Sequence, residues 1–424
     1  MSARKAWTAM LALLVAVLLP LAAWPQADDD SGPVDLDQIR RERKLVQYQN
    51  KLGSRVQRYL AAAGKAFEAG EAEEGIELLD KLNPKRLNRL ELAYVYRLRA
   101  TLAYEGGNYD EAIAYFEKTL GQEALPLDAE NQIRFSIAQI QASLEHWKES
   151  IAALNRWFRY VEDPDPLGYY LMGIAYYRLE DLDTAIVNTK KAVALSPEPR
   201  EGWLQLLSAL YVEKEDYKSA TPILEDLLMR FPKKQYWVQL SLIYGARDDY
   251  RASLAVQQVA YLQGLLTEDK ELRRLARSYL YNDLPYPAAK VLENGLADGS
   301  IDPDAESYEL LANSWIAARE YDRSLEPLQK AAKLSDDGNL YVRLGQVHLQ
   351  REEWSQAAEE LQKAVAKGGL DNPGNAQLLL GIAYYNDKRV GQARSSFARA
   401  REYASTREKA ETWLTHIDNE SKAG

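Results

Sequence analysis

The sequence contains no cysteine and only three histidines, His146, His348 and His416. Without thiols, a disulfide framework, a thiolate metal site and a lipoprotein acylation site are all excluded. The histidines lie far apart, and none has a second ligand at a spacing such as H-E-x-x-H. No alternating strand pattern appears, so no glycine-rich phosphate loop can follow a strand. Positive charge is short as well: 53 Lys and Arg face 63 Asp and Glu, for a net charge of −10. A binder of nucleic-acid backbone needs the opposite balance, because its affinity comes from displacing counterions. Asp and Glu are abundant but fall mostly on outward helix faces. The expectation is a chain with no catalytic residues, no cofactor and no metal, that does not bind nucleic acid.

What the chain has is hydrophobic content, 46% over 424 residues, enough for several cores or one solenoid. Residues 166–197 (PLGYYLMGIAYYRLEDLDTAIVNTKKAVALSP) show how it is laid out. Tyr169, Met172, Gly173 and Tyr176 stand at i, i+3, i+4 and i+7, one stripe of a first helix. Ala185, Thr189 and Ala192 mark a second helix, which Asp183 is placed to cap and Pro197 to end. Small residues at Gly173, Ala185 and Ala192 let the two backbones approach.

The small residue opening each second helix recurs as Gly75, Ala112, Ser150, Ala185, Ala220, Ser253, Ala288, Ser324, Ala357 and Ala393, at intervals of 33 to 38 residues. An aromatic three places earlier recurs as Tyr109, Trp147, Tyr217, Tyr250, Tyr321 and Trp354. This resembles the tetratricopeptide repeat, W-x2-L-G-x2-Y, then A-x3-F, then P, with a period of 34. The resemblance implies an all-α fold, a right-handed α-solenoid superhelix of about ten helix-turn-helix units, closed by a capping helix on which Ala410, Trp413, Leu414 and Ile417 form the apolar face. Unit seven departs, since Pro285 replaces the aromatic and Pro287 follows; its turn is expected to be rebuilt around two fixed proline torsions.

Ahead of the repeats, Arg4 and Lys5 precede an apolar run and the small residues Ala22 and Ala23, the layout of a secretory signal over residues 1–27. The uncharged stretch from Ala6 to Trp24 is 19 residues, long enough to span a bilayer, so cleaved signal and retained anchor both stay open. Cleavage before Asp28 would remove Arg4 and Lys5 and take the net charge from −10 to −12. Residues 28–37 are expected to be a disordered acidic tether and 38–55 an N-terminal helix, bent at Gly53 into the solenoid of residues 56–404; residues 405–424 form the cap and tail. Arg40, Arg41, Arg43 and Lys44, with Glu42 among them, read as a solvated helix face. The expected location is the periplasm, with membrane contact only through an uncleaved leader.

In a tetratricopeptide array the first helices line the concave groove, and the resemblance implies that side chains two, five, nine and twelve places into each unit point there. They are Tyr94, Arg97, Thr101 and Tyr104 in unit two, Gln132, Phe135 and Gln139 in unit three, and Tyr170, Ile174 and Tyr177 in unit four. Arg273 and Arg277 of unit seven make a basic spot, and Leu378, Ile382 and Tyr385 of unit ten an apolar one. Aromatic and amide groups in a groove suit an extended peptide or a helix, while simple packing between units is the competing use of the same tyrosines.

Four segments carry a narrower resemblance: residues 86–113 (RLNRLELAYVYRLRATLAYEGGNYDEAI), 232–245 (PKKQYWVQLSLIYG), 260–302 and 332–345 (AKLSDDGNLYVRLG). They are similar to the bacterial tetratricopeptide proteins associated with TonB systems. That resemblance implies a periplasmic scaffold accessory to a TonB/ExbB/ExbD energy-coupled uptake system, with a TonB-like periplasmic segment as partner. A general envelope scaffold for outer-membrane protein, pilus or exopolysaccharide export is the alternative.

Overall fold

The computed structural model describes residues 34–336 and 338–423; the expected signal segment and the first part of the tether lie outside them. Among the described residues there are 22 α-helices, one 3-10 turn and no strand. The chain divides into two compact units, with the division after Ala175. The first holds α1 (Leu36–Gln49), α2 (Ser54–Glu68), α3 (Ala72–Asp80), α4 (Arg89–Glu105), α5 (Tyr109–Leu120), α6 (Leu127–Ser143), α7 (Trp147–Phe158) and most of α8 (Pro166–Arg178). The second holds the end of α8, then α9 (Leu182–Leu195), α10 (Glu201–Glu213), α11 (Tyr217–Arg230), α12 (Lys234–Ala246), α13 (Tyr250–Leu262), α14 (Asp269–Tyr281) and α15 (Pro285–Asp298). It ends with α16 (Ala305–Ala317), α17 (Tyr321–Leu334), α18 (Asn339–Gln350), α19 (Trp354–Lys367), α20 (Pro373–Asn386), α21 (Val390–Ala400) and α22 (Arg407–Ala423).

From α2 to α21 the helices run in ten consecutive pairs, and within each unit every pair packs on the next, as an α-solenoid requires. All ten small residues that set the period are buried. The reason is visible at Gly345 and Gly381: a Cβ on either would come within 2.4 Å of Leu361 and 2.5 Å of Phe397, so the first helix needs hydrogen where it crosses the second. Larger side chains fill the space on either side, among them Trp315, Tyr236 and Phe397, each fully buried. Burying a side chain of this kind contributes about 1.5–3 kcal/mol. At the end of the array α22 buries Ala410 and Ile417, and Trp413 stacks on Phe397 with the rings 5.3 Å apart. The expected cap is borne out.

One turn serves every pair. A residue with φ between 57° and 78° lies five places before each small residue: Gly70 and Gly107, then Glu145, Glu180, Glu215, Asp248, Asp283, Arg319, Glu352 and Lys388. The next N–H reaches back five residues, as from Asn108 to Ala103 O (2.8 Å), Asp181 to Tyr176 O (3.0 Å) and Leu284 to Tyr279 O (2.9 Å), which closes the first helix in a Schellman motif. Unit seven therefore needs no rebuilt turn. Asp283 is its left-handed residue, and Pro285 takes the first helical position, where its missing N–H has no helical partner to lose. In unit four the cap is Asp181, which accepts from the Thr184 N–H at 3.0 Å, and not Asp183. Asp183 lies inside α9 and pairs with Lys214.

The N-terminal region differs from expectation in two ways. Leu36 and Asp37 already belong to α1, capped by Asp35. The helix does not bend at Gly53; it stops at Gln49, and the Gly53 N–H donates to Glu91 Oε1 of α4 at 2.9 Å. Nor is the basic cluster wholly solvated. Arg43 is buried, its Nε donating to the fully buried Glu130 of α6 at 2.9 Å, while Arg134 donates to the other oxygen of Glu130 at 3.2 Å. Arg40 reaches Glu162 at 2.8 Å, and Gln47 donates to Ala124 O at 3.2 Å. These contacts fasten α1 across the starts of the first helices of units two and three. No helix among the described residues is long and apolar enough to cross a membrane.

Candidate functional site

Counting each unit so that its small residue is the twentieth, the second, fifth, ninth and twelfth places fall on the first helix. In unit two they are Tyr94, Arg97, Thr101 and Tyr104 of α4. Tyr94 and Arg97 are partly exposed, and the side chain of neither makes a hydrogen bond or ion pair among the described residues. Tyr104 is 45% exposed and sets its ring edge-on to Tyr109 at 5.5 Å. The Thr101 hydroxyl is turned to its own helix, donating to Arg97 O at 3.1 Å. On α6, Gln132 and Gln139 are exposed, whereas Phe135 packs on Trp157 of α7, ring centres 4.9 Å apart. Phe135 is therefore in part a core residue.

On α8, Tyr170 and Ile174 are half-buried in the first unit. Burial raises the pKa of the Tyr170 hydroxyl. In the second unit burial does the same for Tyr177, helped by the charge and hydrogen bond of Glu213. Both phenols therefore remain hydrogen-bond donors at neutral pH.

Unit seven does not present the expected basic spot. Arg273 is only 6% exposed, because its Nε donates to Asp269 (2.7 Å), its Nη2 to Asp304 (2.9 Å) and its Nη1 toward Glu306 (3.4 Å). Arg277 is taken by the same Glu306. The hydrogen bond from Arg273 holds the Asp304 carboxyl at about 2. Burial pulls the Arg273 pKa down, but Asp304 and Asp269 more than offset it. An open crevice of about 520 Å³ at this place is lined by Lys270 and Arg274 besides these residues and Asp302, equal numbers of acids and bases. It is a neutralised joint between units seven and eight.

Unit ten is closed too: Leu378 is buried, and the Tyr385 hydroxyl lies 2.9 Å from His416 Nε2 and donates to Glu420 at 2.7 Å, both on α22. His348 is buried with its Nδ1 2.6 Å from Glu353, so it serves the packing of unit nine. No group of three or more His, Asp or Glu among the described residues could hold a metal ion. Leu242, at the ninth place of unit six, is 42% exposed and was not among the residues chosen from the sequence. The twenty-place count alone would have found it.

A tetratricopeptide-repeat family model matches residues 97–166 and 342–406, and a second such model matches 168–199. These stretches are tetratricopeptide repeats. The chain is similar to a solved structure of MamA (residues 41 to the end) from Desulfovibrio magneticus RS-1, 21% identical over 42% of this chain and 96% of that one, with a TM-score of 0.36. A tetratricopeptide repeat protein from Parabacteroides merdae is 16% identical over 69% of this chain and 99% of its own, TM-score 0.35. YrrB, described as a TPR protein with an unusual peptide-binding site, is 15% identical over 39% and 83%, TM-score 0.34. No curated protein sequence matches.

The matched stretches share the helix-turn-helix repeat seen throughout the described residues. Among the surfaces chosen by position, those of units seven and ten are consumed by the fold, and those of units two and three are open.

Proposed function

We propose that this chain is a non-enzymatic periplasmic scaffold, accessory to a TonB/ExbB/ExbD-type energy-coupled uptake system, and that it holds an extended partner segment on the first helices of units two and three. The observation that carries the reading is the open face of α4 and α6, where Tyr94, Arg97, Tyr104, Gln132 and Gln139 stay accessible while Arg273 and Arg277 are neutralised. Flat rings flanked by amides suit proline-rich or extended backbone, and the acidic field of a chain with net charge −10 speeds the approach of a cationic segment. A proline- and lysine-rich periplasmic linker of TonB type has that chemistry. Export rests on the leader over residues 1–27, and the TonB assignment on the four resembling segments.

The test is titration calorimetry of the protein against the periplasmic segment of the cognate TonB. Tyr94→Ala with Tyr104→Ala should weaken binding by about 1–3 kcal/mol, in line with truncation of interface aromatics, and leave the helical circular dichroism unchanged. Heat with neither protein, or equal affinity for both, would overturn the reading.

A further inference from the structure

The described residues begin with a basic segment, although the protein as a whole is acidic. Residues 34–65 carry eight basic side chains and three acidic ones, a net +5 inside a protein of net −10. The fold sorts the α1 cations into two sets. Arg40 and Arg43 turn toward the solenoid and are paired with Glu162 and Glu130. Arg41 and Lys44 are exposed and have no acidic partner among the described residues. They share a stripe with Leu45 and Tyr48, at i, i+3, i+4 and i+7, and these two are 55% and 82% exposed. The stripe lies opposite the face that α1 spends on Glu130 and Ala124. The exposed Arg55, Arg58 and Lys65 continue the basic run on α2.

We propose that the outer face of α1 docks on an anionic phospholipid bilayer surface, with Arg41 and Lys44 at the headgroups and Leu45 and Tyr48 at the boundary below them. Cations and apolar or aromatic residues on one helix face are the arrangement that holds an amphipathic helix in the plane of an interface. Tyrosine suits that depth, its ring in the apolar layer and its hydroxyl wet. A nucleic acid would use the cations but leave Leu45 and Tyr48 without a role. Placement favours lipid as well. The 19 uncharged residues from Ala6 to Trp24 end eleven residues before α1, a gap that can extend no further than about 40 Å. Buried ion pairs keep α1 on α6, so a docked α1 would hold the first-helix surface of units two and three beside the membrane. The surface is separate from the groove and does not depend on what the groove binds.

The absence of cysteine makes the test clean: Tyr48→Cys in the full chain takes one environment-sensitive fluorophore, and Glu326→Cys, on α17, serves as the control. Vesicles of equal parts phosphatidylglycerol and phosphatidylcholine should shift the emission at position 48 to the blue, phosphatidylcholine alone should not, and position 326 should stay water-like. The shift should fade as salt shortens the screening length toward ~3 Å at 1 M. Arg41→Gln with Lys44→Gln should weaken vesicle binding at least about tenfold, since each basic residue near an anionic surface is worth roughly a factor of five. A water-like label at 48 in anionic vesicles overturns the proposal. So does an equal shift in both vesicle types, which would leave the leader as the sole contact, or a shift that appears only when a second protein is added.

Discussion

Arg97 in the first compact unit and Arg273 in the second occupy the same fifth place of their repeats, yet one is open and the other locked. The difference lies in the next unit. Two places into unit eight stands Glu306, and at its start Asp304; both hold unit seven's arginines. Two places into unit three stands Gln132, which carries no charge. The acid at its start, Glu130, is claimed by Arg43 of α1 and by Arg134. Repeat position therefore decides where a side chain points, but the neighbouring repeat decides whether it is free. In the first unit the acid at that place is buried and held by the N-terminal helix and by its own helix.

The largest expected effect tests that claim on Glu130. Glu130→Ala leaves Arg43 and Arg134 buried without their shared partner, a loss of about 3–5 kcal/mol for a broken buried pair. Glu306→Ala, in the half-exposed network of the second unit, should cost about 1 kcal/mol or less. Hydrogen exchange reads both, because a solenoid opens locally. Amides of α1 and α6 should lose protection in the first variant, and those of α14 and α16 should barely change in the second. Equal losses would mean that α1 is not fastened by this triad.

Acid should act on the two units in opposite directions. Asp304 is held at about 2 by its bond from Arg273, against an ordinary value of 3.8. A depressed carboxyl contributes stability that is complete above its unfolded value and lost as pH falls from near 4 toward 2. Burial raises Glu130 above its ordinary 4.5 in spite of the two arginines. Its ionisation is therefore a penalty on the folded first unit, one that shrinks as pH falls through the raised value toward 4.5. Between pH 4 and 2, the protection of amides in α14 and α16, relative to their intrinsic exchange rates, should fall in the parent and much less in Asp304→Asn. The same loss in both proteins would remove Asp304 from the acid response.

Much of the architecture was legible because one constraint, close backbone approach, forces a small residue at the same place in every unit. Gly345 and Gly381, on the first helices of units nine and ten, stand at crossings that admit no Cβ. The turn was hidden because the left-handed position is glycine only at Gly70 and Gly107, and elsewhere an acid or a base bears the strain. The open surface was read only in part. The directional rule selects Tyr94, Arg97 and Tyr104, which the fold leaves accessible on α4, but it carries no information about Glu306, 33 residues beyond Arg273, or about Arg43, 87 residues before Glu130. Pairings of that range depend on how repeats stack, and no local spacing encodes them.

The smallest expected effect asks whether the rule of the next unit's second place can be transplanted. Gln132→Glu sets a carboxylate beside Arg97 in the relation that Glu306 bears to Arg273. An ion pair at so exposed a place should change stability by no more than about 1 kcal/mol, since the Coulomb gain is screened and two long side chains lose freedom. The measurable change is in the arginine itself. By NMR, exchange of the Arg97 Nε–H with water should slow in the variant, and Glu306→Gln should speed that of Arg277 while leaving Arg273 held by Asp304 and Asp269. If Arg97 stays as labile in the Gln132→Glu variant as in the parent, the second place of the next repeat does not control access. The openness of α4 would then be traced to the capture of Glu130 by Arg43 and Arg134 instead.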